Sequence, residues 1–266
     1  MIRRTTIFTI LIAMSLNCYC QTASIIQLIA QYQKARIELE RINPYEAPDI
    51  CIEKSNQIIS LYKQIERKDP TQIQPQALFV PYSMIAYSYY GKKDIKSATS
   101  FLENAKHIAQ TYSDRLLKEG YTIEALLGIS TLLRDAYVDI KEYTKALTVS
   151  TEIINTYERV NPKHIALQQM AESQIYKAED NVLKVIESDK KALDYLERYG
   201  NDVQGFYAET IVNEILEGYL YMDDYNGALH FIDDNRERLN GLFQGKEDVE
   251  FEKLNQTNKY LYQVYQ

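Results

Sequence analysis

Thirty-seven Asp and Glu residues, three histidines and three cysteines carry whatever acid–base, metal or thiol chemistry this chain can do. Their spacing gathers few of them. His107, His164 and His230 are scattered, and none lies in a pattern such as H-E-x-x-H, which sets two imidazoles one helical turn apart on a metal. Asp223-Asp224 and Asp233-Asp234 are the acidic pairs that stand out. The first falls at a turn, where an aspartate can cap the next helix; the second falls near a helix end, where negative charge opposes the dipole. A calcium loop needs spaced acids around a glycine, and neither a glycine-rich phosphate loop nor a G-x-S-x-G elbow occurs. Cys51 lies in an apolar helical pattern with no accompanying His or Asn motif, and reads as a small buried hydrophobe. No metal, no cofactor and no catalytic residue is expected. Paired carboxylates for acid–base work stay open, because so many acids always leave some pair close in space.

The other chemistry on offer is aromatic. There are 23 Tyr, 7 Phe and no Trp, and a tyrosine packs its ring while its hydroxyl reaches water or a partner. Tyr87 and Tyr90 flank Tyr89 on one helical segment and are the candidate partner-binding residues. Tyrosine gives contact area at low entropic cost, which suits an extended peptide. The alternative for each is packing between neighbouring helices. Lys92, Lys93 and Lys96 form a short basic cluster that reads as a solvated turn.

The elements that must hold these residues are helical. "ASIIQLIAQYQKARIELERI" buries Ile25, Leu28, Ile29, Tyr32, Ala35 and Leu39 on one face, and the stretch after Ala47 does the same with Ile52, Ile58, Ile59, Tyr62 and Ile65. Breaks fall at Asn43-Pro44, at "KDPTQIQP", at Asn161-Pro162, at Gly200 and around Gly241 to Gly245, the punctuation expected of helices. Nine Gly and six Pro are too few for an all-β chain of 266 residues, and no alternating strand pattern appears.

Within the helices a unit recurs. Tyr82, Ile85, Ala86 and Tyr89 are followed by Ala98, Leu102 and Ala105. Leu133, Tyr137, Tyr143, Ala146 and Ile153 repeat the order, as do Ile215, Tyr219, Tyr225, Ala228 and Ile232; Leu183, Ala192, Leu196 and Tyr199 form a weaker copy. Ala86 and Ala98 stand where two helices cross, since only a small side chain lets backbones approach. The chain therefore resembles the tetratricopeptide repeat (TPR) family, as a divergent, exported bacterial TPR-like protein. The resemblance implies an all-α fold, an α-α superhelix that forms a right-handed solenoid of antiparallel helix pairs. It implies one continuous repeat domain from about Gln21 to Gln266, with a terminal hairpin at about 21–70, repeats at about 79–112, 127–160, 173–200 and 209–240, and a capping helix at about 246–266, where Phe251, Leu254, Leu261 and Val264 stand at helical spacing. Arg134 and Ser150 depart from the pattern, standing where a small and a large apolar residue belong. The signature alanines 98, 146, 192 and 228 are 48, 46 and 36 residues apart, against about 34 in a regular array. The long gaps require longer helices or extra segments.

The first 20 residues read as an address. Arg3 and Arg4 precede an apolar run from Ile7 to Leu16, and small residues follow, the order of a secretory signal peptide cleaved before Gln21. The run is about half the length that spans a bilayer. An uncleaved anchor is one alternative; a lipoprotein site is another, though neither Ser15-Leu16-Asn17 before Cys18 nor Asn17-Cys18-Tyr19 before Cys20 has the usual residues. Cleavage removes two Arg and moves the net charge from -7 to -9. It leaves Cys51 alone, so no disulfide forms within the mature chain, and no integral membrane segment is expected after Gln21. Asn255-Gln256-Thr257 matches a glycosylation sequon but falls in a helical pattern.

Acidic balance argues against nucleic acid and anionic lipid as partners. The expected function is an exported scaffold, periplasmic or elsewhere in the cell envelope, secreted or lipid-anchored, that binds a protein or peptide. A sensory input region whose output lies on another chain or on a longer one is the first alternative. An α/α enzyme acting on carbohydrate or cell wall is the second, and needs a cleft with converging acids. The oligomeric state is not legible.

Overall fold

The computed structural model describes residues 24–199 and 204–243. The expected signal peptide and the capping helix at about 246–266 lie outside them. Every regular element among the described residues is a helix. Packing divides the chain into two compact units at the Ile140–Lys141 junction.

The first unit begins with α1 (24–39) and α2 (Pro48–Lys68). Their apolar faces bury Tyr32, Ala35, Leu39, Cys51, Ile58, Leu61, Tyr62 and Ile65. Lys54 pairs with Glu38 at 2.5 Å and Lys68 donates to Ser24 Oγ at 2.7 Å, tying the two helices along their length. Cys51 is fully buried and its thiol donates weakly to the Met84 carbonyl. Burial pushes its pKa up, so the thiolate that reactive cysteines need is disfavoured. Two 3₁₀ turns, each started by a proline, Pro70–Gln72 and Pro75–Leu78, lead into α3 (Phe79–Gly91).

Helices α3 and α4 (Ile95–Thr111) form a hairpin. Ile85, Ala86, Ala98, Leu102 and Ala105 are fully buried in it. Phe101 stacks on Tyr89 with ring centres 5.8 Å apart and lies 6.3 Å from Tyr82. The crossing leaves no room beside Ala98. Ala98→Leu is expected to lower stability by about 1–3 kcal/mol by overpacking, read from thermal unfolding; an unchanged midpoint places the crossing elsewhere. After α4 comes a short α5 (Ser113–Lys118), whose Leu116 is buried, and then Tyr121, edge-on to Phe79 at 5.3 Å. This inserted segment accounts for the long first gap between signature alanines. Helix α6 (Ile123–Asp139) packs on α4 and completes the unit.

The second unit contains α7 (Tyr143–Val160), α8 (Ile165–Ala178), α9 (Val182–Tyr199), α10 (Gln204–Tyr221), α11 (Tyr225–Asp234) and α12 (Arg236–Phe243). Each of α7, α8, α9 and α10 packs on the next, and α10 also packs on α11 and α12. Its core includes Ile186, Leu193, Leu196, Ala208, Ile211, Ile215, Ala228 and Phe231.

Three turns share one geometry. At α3/α4, α8/α9 and α10/α11 a three-residue turn reverses the chain, and its middle residue, Lys93, Asp180 or Asp223, takes a positive φ near 60° (60°, 61° and 56°). The third turn residue donates its amide to the carbonyl five residues back: Asp94 to Tyr89 at 3.0 Å, Asn181 to Tyr176 at 2.8 Å, Asp224 to Tyr219 at 2.9 Å. This is the Schellman arrangement that ends a helix. The same third residue then opens the next helix, its side chain accepting from the amide of Ser97, Lys184 or Gly227. Lys141, between α6 and α7, has the same conformation at φ 63°, and Glu142 stands at the cap.

These caps, Asp94, Glu142, Asn181 and Asp224, are 48, 39 and 43 residues apart. They correct the register of the weaker copy. Four residues after each cap come Ala98, Ala146, Val185 and Ala228; Ala192 stands eleven after its cap, where the first hairpin has Ala105. Both are buried alanines facing a core, so the sequence pattern alone does not tell one place from the other. Leu183 also moves. It belongs to the first turn of α9, not to a first helix, and is 68% exposed, at the place Lys96 occupies in α4. The first helix of that hairpin is α8, which starts at Ile165.

Candidate partner-binding surface and a buried carboxyl

Tyr87 and Tyr90 both lie on α3, and the structure adds a third tyrosine from a distant part of the sequence. The α1–α2 connection is shaped by Asn43, whose side chain accepts from the Tyr45 amide at 3.0 Å and whose carbonyl accepts from Ala47 at 3.0 Å. Pro44 follows Asn43 in this turn. The result aims Tyr45 at the end of α3. A Cβ added at Gly91 would come within 3.0 Å of the Tyr45 ring, so glycine there permits the approach. Tyr45 lies 6.3 Å from Tyr87, tilted by 40°, yet remains 58% exposed. Lys92 and Asp49 pair at 2.6 Å and hold the start of α2 beside the end of α3.

Tyr90 is half-buried, and its hydroxyl donates to Asp139 Oδ2 at 3.2 Å, linking α3 to the end of α6. Burial, followed by the Asp139 charge, pushes its pKa up to about 12. Burial raises that of Tyr87 as well. Tyr87 and Tyr90 thus do part of the work of packing. The exposed face is presented by Tyr45, with Ile50 in the first turn of α2 also largely exposed. Tyr45 carried no local signal, because its position comes from the Asn43 turn and from Gly91.

A second feature is a buried polar core in the α8/α9 hairpin. Counted from the cap, the places held by Tyr82, Ala86, Phe101 and Leu102 in the first hairpin are held here by Gln169, Ser173, Ser188 and Asp189. All four are buried, and Asp189 is fully so. Ser188 donates to Gln169, whose backbone carbonyl lies at 2.9 Å and side-chain oxygen at 3.1 Å. Asp189 and the neighbouring Ser173 hydroxyl have no protein partner in good hydrogen-bonding geometry. Burial pushes the Asp189 pKa up to about 7; Ser173 opposes the shift, Glu214 of α10 adds to it, and Lys177 of α8 opposes it. The Glu214 carboxylate is itself held by Gln174 at 2.8 Å and by Lys177 at 3.6 Å. Ser150, one of the two residues that depart from the repeat pattern, is likewise buried in α7. Arg134 is buried in α6, with its guanidinium 2.9 Å from Asp135.

Other candidates do not gather. His107 and His230 are exposed, and His164 lies against Tyr157 at 5.1 Å. Among the described residues no group of three His, Cys, Asp or Glu side chains could hold a metal ion, and no helix is long and apolar enough to cross a membrane. Asp224 caps α11, while Asp233 pairs with Arg236 at 2.7 Å.

The shared turns, with a tyrosine five residues before each cap (Tyr89, Tyr137, Tyr176 and Tyr219), decide the kind of fold. The helices form TPR-like hairpins. No family model and no curated protein matches the chain. Solved structures do. BtubC (BKLC) from P. vanneervenii is 16% identical over 85% of this chain and 94% of its own, with a TM-score of 0.49. A putative kinesin light chain from Podosopora anserina with nearly identical TPR-like repeats is 12% identical over 84% and 98%, with a TM-score of 0.47. The apo form of RapI is 16% identical over 75% of this chain and 52% of that one, with a TM-score of 0.48. Likeness at such identity concerns the fold alone, and the repeat geometry rests on the turns described above.

Proposed function

We propose that this protein is an exported TPR-like scaffold that holds a protein or peptide partner in the cell envelope through the Tyr45–Tyr87–Tyr90 surface. The observation that carries the reading is Tyr45, a large aromatic side chain kept 58% exposed by a turn, a glycine contact and an ion pair that fix its place. Rigid aromatic side chains presented in this way bind at low entropic cost. Export is supported by the Arg3-Arg4, apolar-run and small-residue order at the start.

The test uses the full chain with a C-terminal tag in its native host. Fractionation is expected to find a product beginning at Gln21 in the envelope fraction; a cytoplasmic product still carrying Met1 overturns the export part. Crosslinked capture is expected to retain one dominant protein, reduced about tenfold by Tyr45→Ala and by Tyr87→Ala, as for an aromatic contact worth about 1.4 kcal/mol. An identical set of retained proteins from the parent and both variants overturns this use of the aromatic surface.

A further inference from the structure

In the second unit the α8/α9 and α10/α11 turns lie at one edge. Between them is an open groove of about 450 Å³, lined by Glu179, Asp180, Asn181, Val182, Leu183 and Met222. Tyr221 joins the two turns, its hydroxyl 3.4 Å from Asp180 Oδ1. Leu183 at 68% and Tyr221 at 70% are more exposed than any other large hydrophobic side chain for which the described residues give a value. One exposed leucine is ordinary on a protein surface. Two such side chains at a shared edge, beside a groove that also reaches Met222, make a patch.

The rim of that patch has one sign of charge. Glu179, Asp180, Asp223 and Asp224 are all exposed on it. The nearest lysines in the sequence are turned to other acids, Lys177 to Glu214 at 3.6 Å and Lys184 to Glu187 at 2.7 Å. The left-handed turn residue is aspartate here, Asp180 and Asp223, and lysine at the two earlier turns, Lys93 and Lys141. One backbone conformation therefore carries opposite charge at different turns, and the conformation alone does not require the acids at this edge.

This chemistry selects the occupant. A second copy of the same edge would set acid against acid, and an anionic lipid surface would be repelled. A basic segment with a bulky apolar residue satisfies both parts: the apolar side chain covers Leu183 and Met222, and flanking Lys or Arg meets the acidic rim. We propose that this groove docks such a segment of a partner protein. The proposal rests on the scaffold reading and extends it to a second surface, separate in residues from Tyr45, Tyr87 and Tyr90.

Fluorescence anisotropy with the tagged full chain tests it. The probe is the labelled peptide Gly-Ser-Lys-Arg-Leu-Phe-Lys-Arg-Ser-Gly. Controls replace Leu-Phe by Ser-Ser, or all four basic residues by Glu. The probe is expected to bind, and to weaken about tenfold on raising salt from about 50 to about 300 mM. A weakening of about tenfold is also expected for Leu183→Ser, for the pair Asp180→Asn and Asp223→Asn, and for the Ser-Ser control, with loss of binding for the Glu control. Asparagine tolerates the left-handed turn conformation, and Leu183 is on the surface, so these variants keep the fold. Leu229→Ser, at an exposed place on α11, and Tyr45→Ala are expected to leave probe binding unchanged. Equal affinity for the parent and both groove variants overturns the groove, as does an unbound probe or a Ser-Ser control that binds as well. Those results leave the aromatic surface standing if Tyr45→Ala still loses the captured partner. Probe binding lost in the groove variants, with capture unaffected by Tyr45→Ala, reverses that outcome.

Discussion

Raising the pH from about 5 to about 8 is expected to lower the melting temperature of this protein by about 5–10 °C, and Asp189→Asn to remove most of that fall. The sign follows from proton binding. Folded Asp189 keeps its proton up to about pH 7, held by burial and by the nearby Glu214 against the weaker pull of Ser173 and Lys177, whereas an unfolded aspartic acid releases it near 3.8. Between those values the folded state binds more protons than the unfolded state, so stability falls as pH rises and levels off above pH 7. A difference of about three pKa units corresponds to about 4 kcal/mol in all, of which about 2.7 kcal/mol is lost between pH 5 and pH 8. For a chain of this size each kcal/mol moves the midpoint by about 2–4 °C. Other acids act elsewhere. Glu187, held at about 2 chiefly by its hydrogen bonds from Lys184 and Lys191, contributes stability that is lost only as pH falls through that low range. Asparagine keeps the shape of Asp189 and removes its titration, so the difference between the two melting curves isolates this residue. Parallel curves for the parent and Asp189→Asn between pH 5 and pH 8 would show that the carboxyl does not resist ionisation in the folded state.

The repeat could be read in the sequence wherever its contact residues stayed apolar. Ala98, Ala146 and Ala228 mark the same place after their caps, and Tyr89, Tyr137 and Tyr219 precede the caps by the same distance. Small residues at a crossing and a ring beside it are a local pattern with a physical cause. In the α8/α9 hairpin the contact places carry Gln169, Ser173, Ser188 and Asp189, and a search for apolar markers passes over them to Ala192. The signal that locates this hairpin is the turn itself, Tyr176 followed five residues later by Asn181. That signal is weaker to the eye, since asparagine is common at turns of every kind. The aromatic surface was half legible. Tyr87 and Tyr90 share a helix with a repeat signature, but the exposed Tyr45 reaches them only through the Asn43 turn and over Gly91. Contacts between residues more than forty positions apart leave no periodicity to read.

Leu102→Ala is the change expected to cost most in the first unit, about 2–5 kcal/mol, with a fall in the melting midpoint of roughly 5–20 °C. Leu102 is fully buried on α4, eight residues after the Asp94 cap, and truncation removes its packing and leaves a cavity that rigid helices fill poorly. Amide exchange is expected to rise most in α3 and α4, the helices that close on it. The same place in the α8/α9 hairpin belongs to Asp189, so the two hairpins make opposite predictions at one repeat position. Loss of the apolar side chain weakens the first. Asp189→Leu strengthens the other above pH 7, where the parent carries a buried negative charge, less about 1–3 kcal/mol for the extra volume. That pair of signs has one origin, a slot built for an apolar residue that in one hairpin holds an acid. A Leu102→Ala variant within about 0.5 kcal/mol of the parent, a change typical of surface sites, would mean that the place eight after the cap is not core. The reading of Asp189 as an acid in an apolar slot would then lose its comparison.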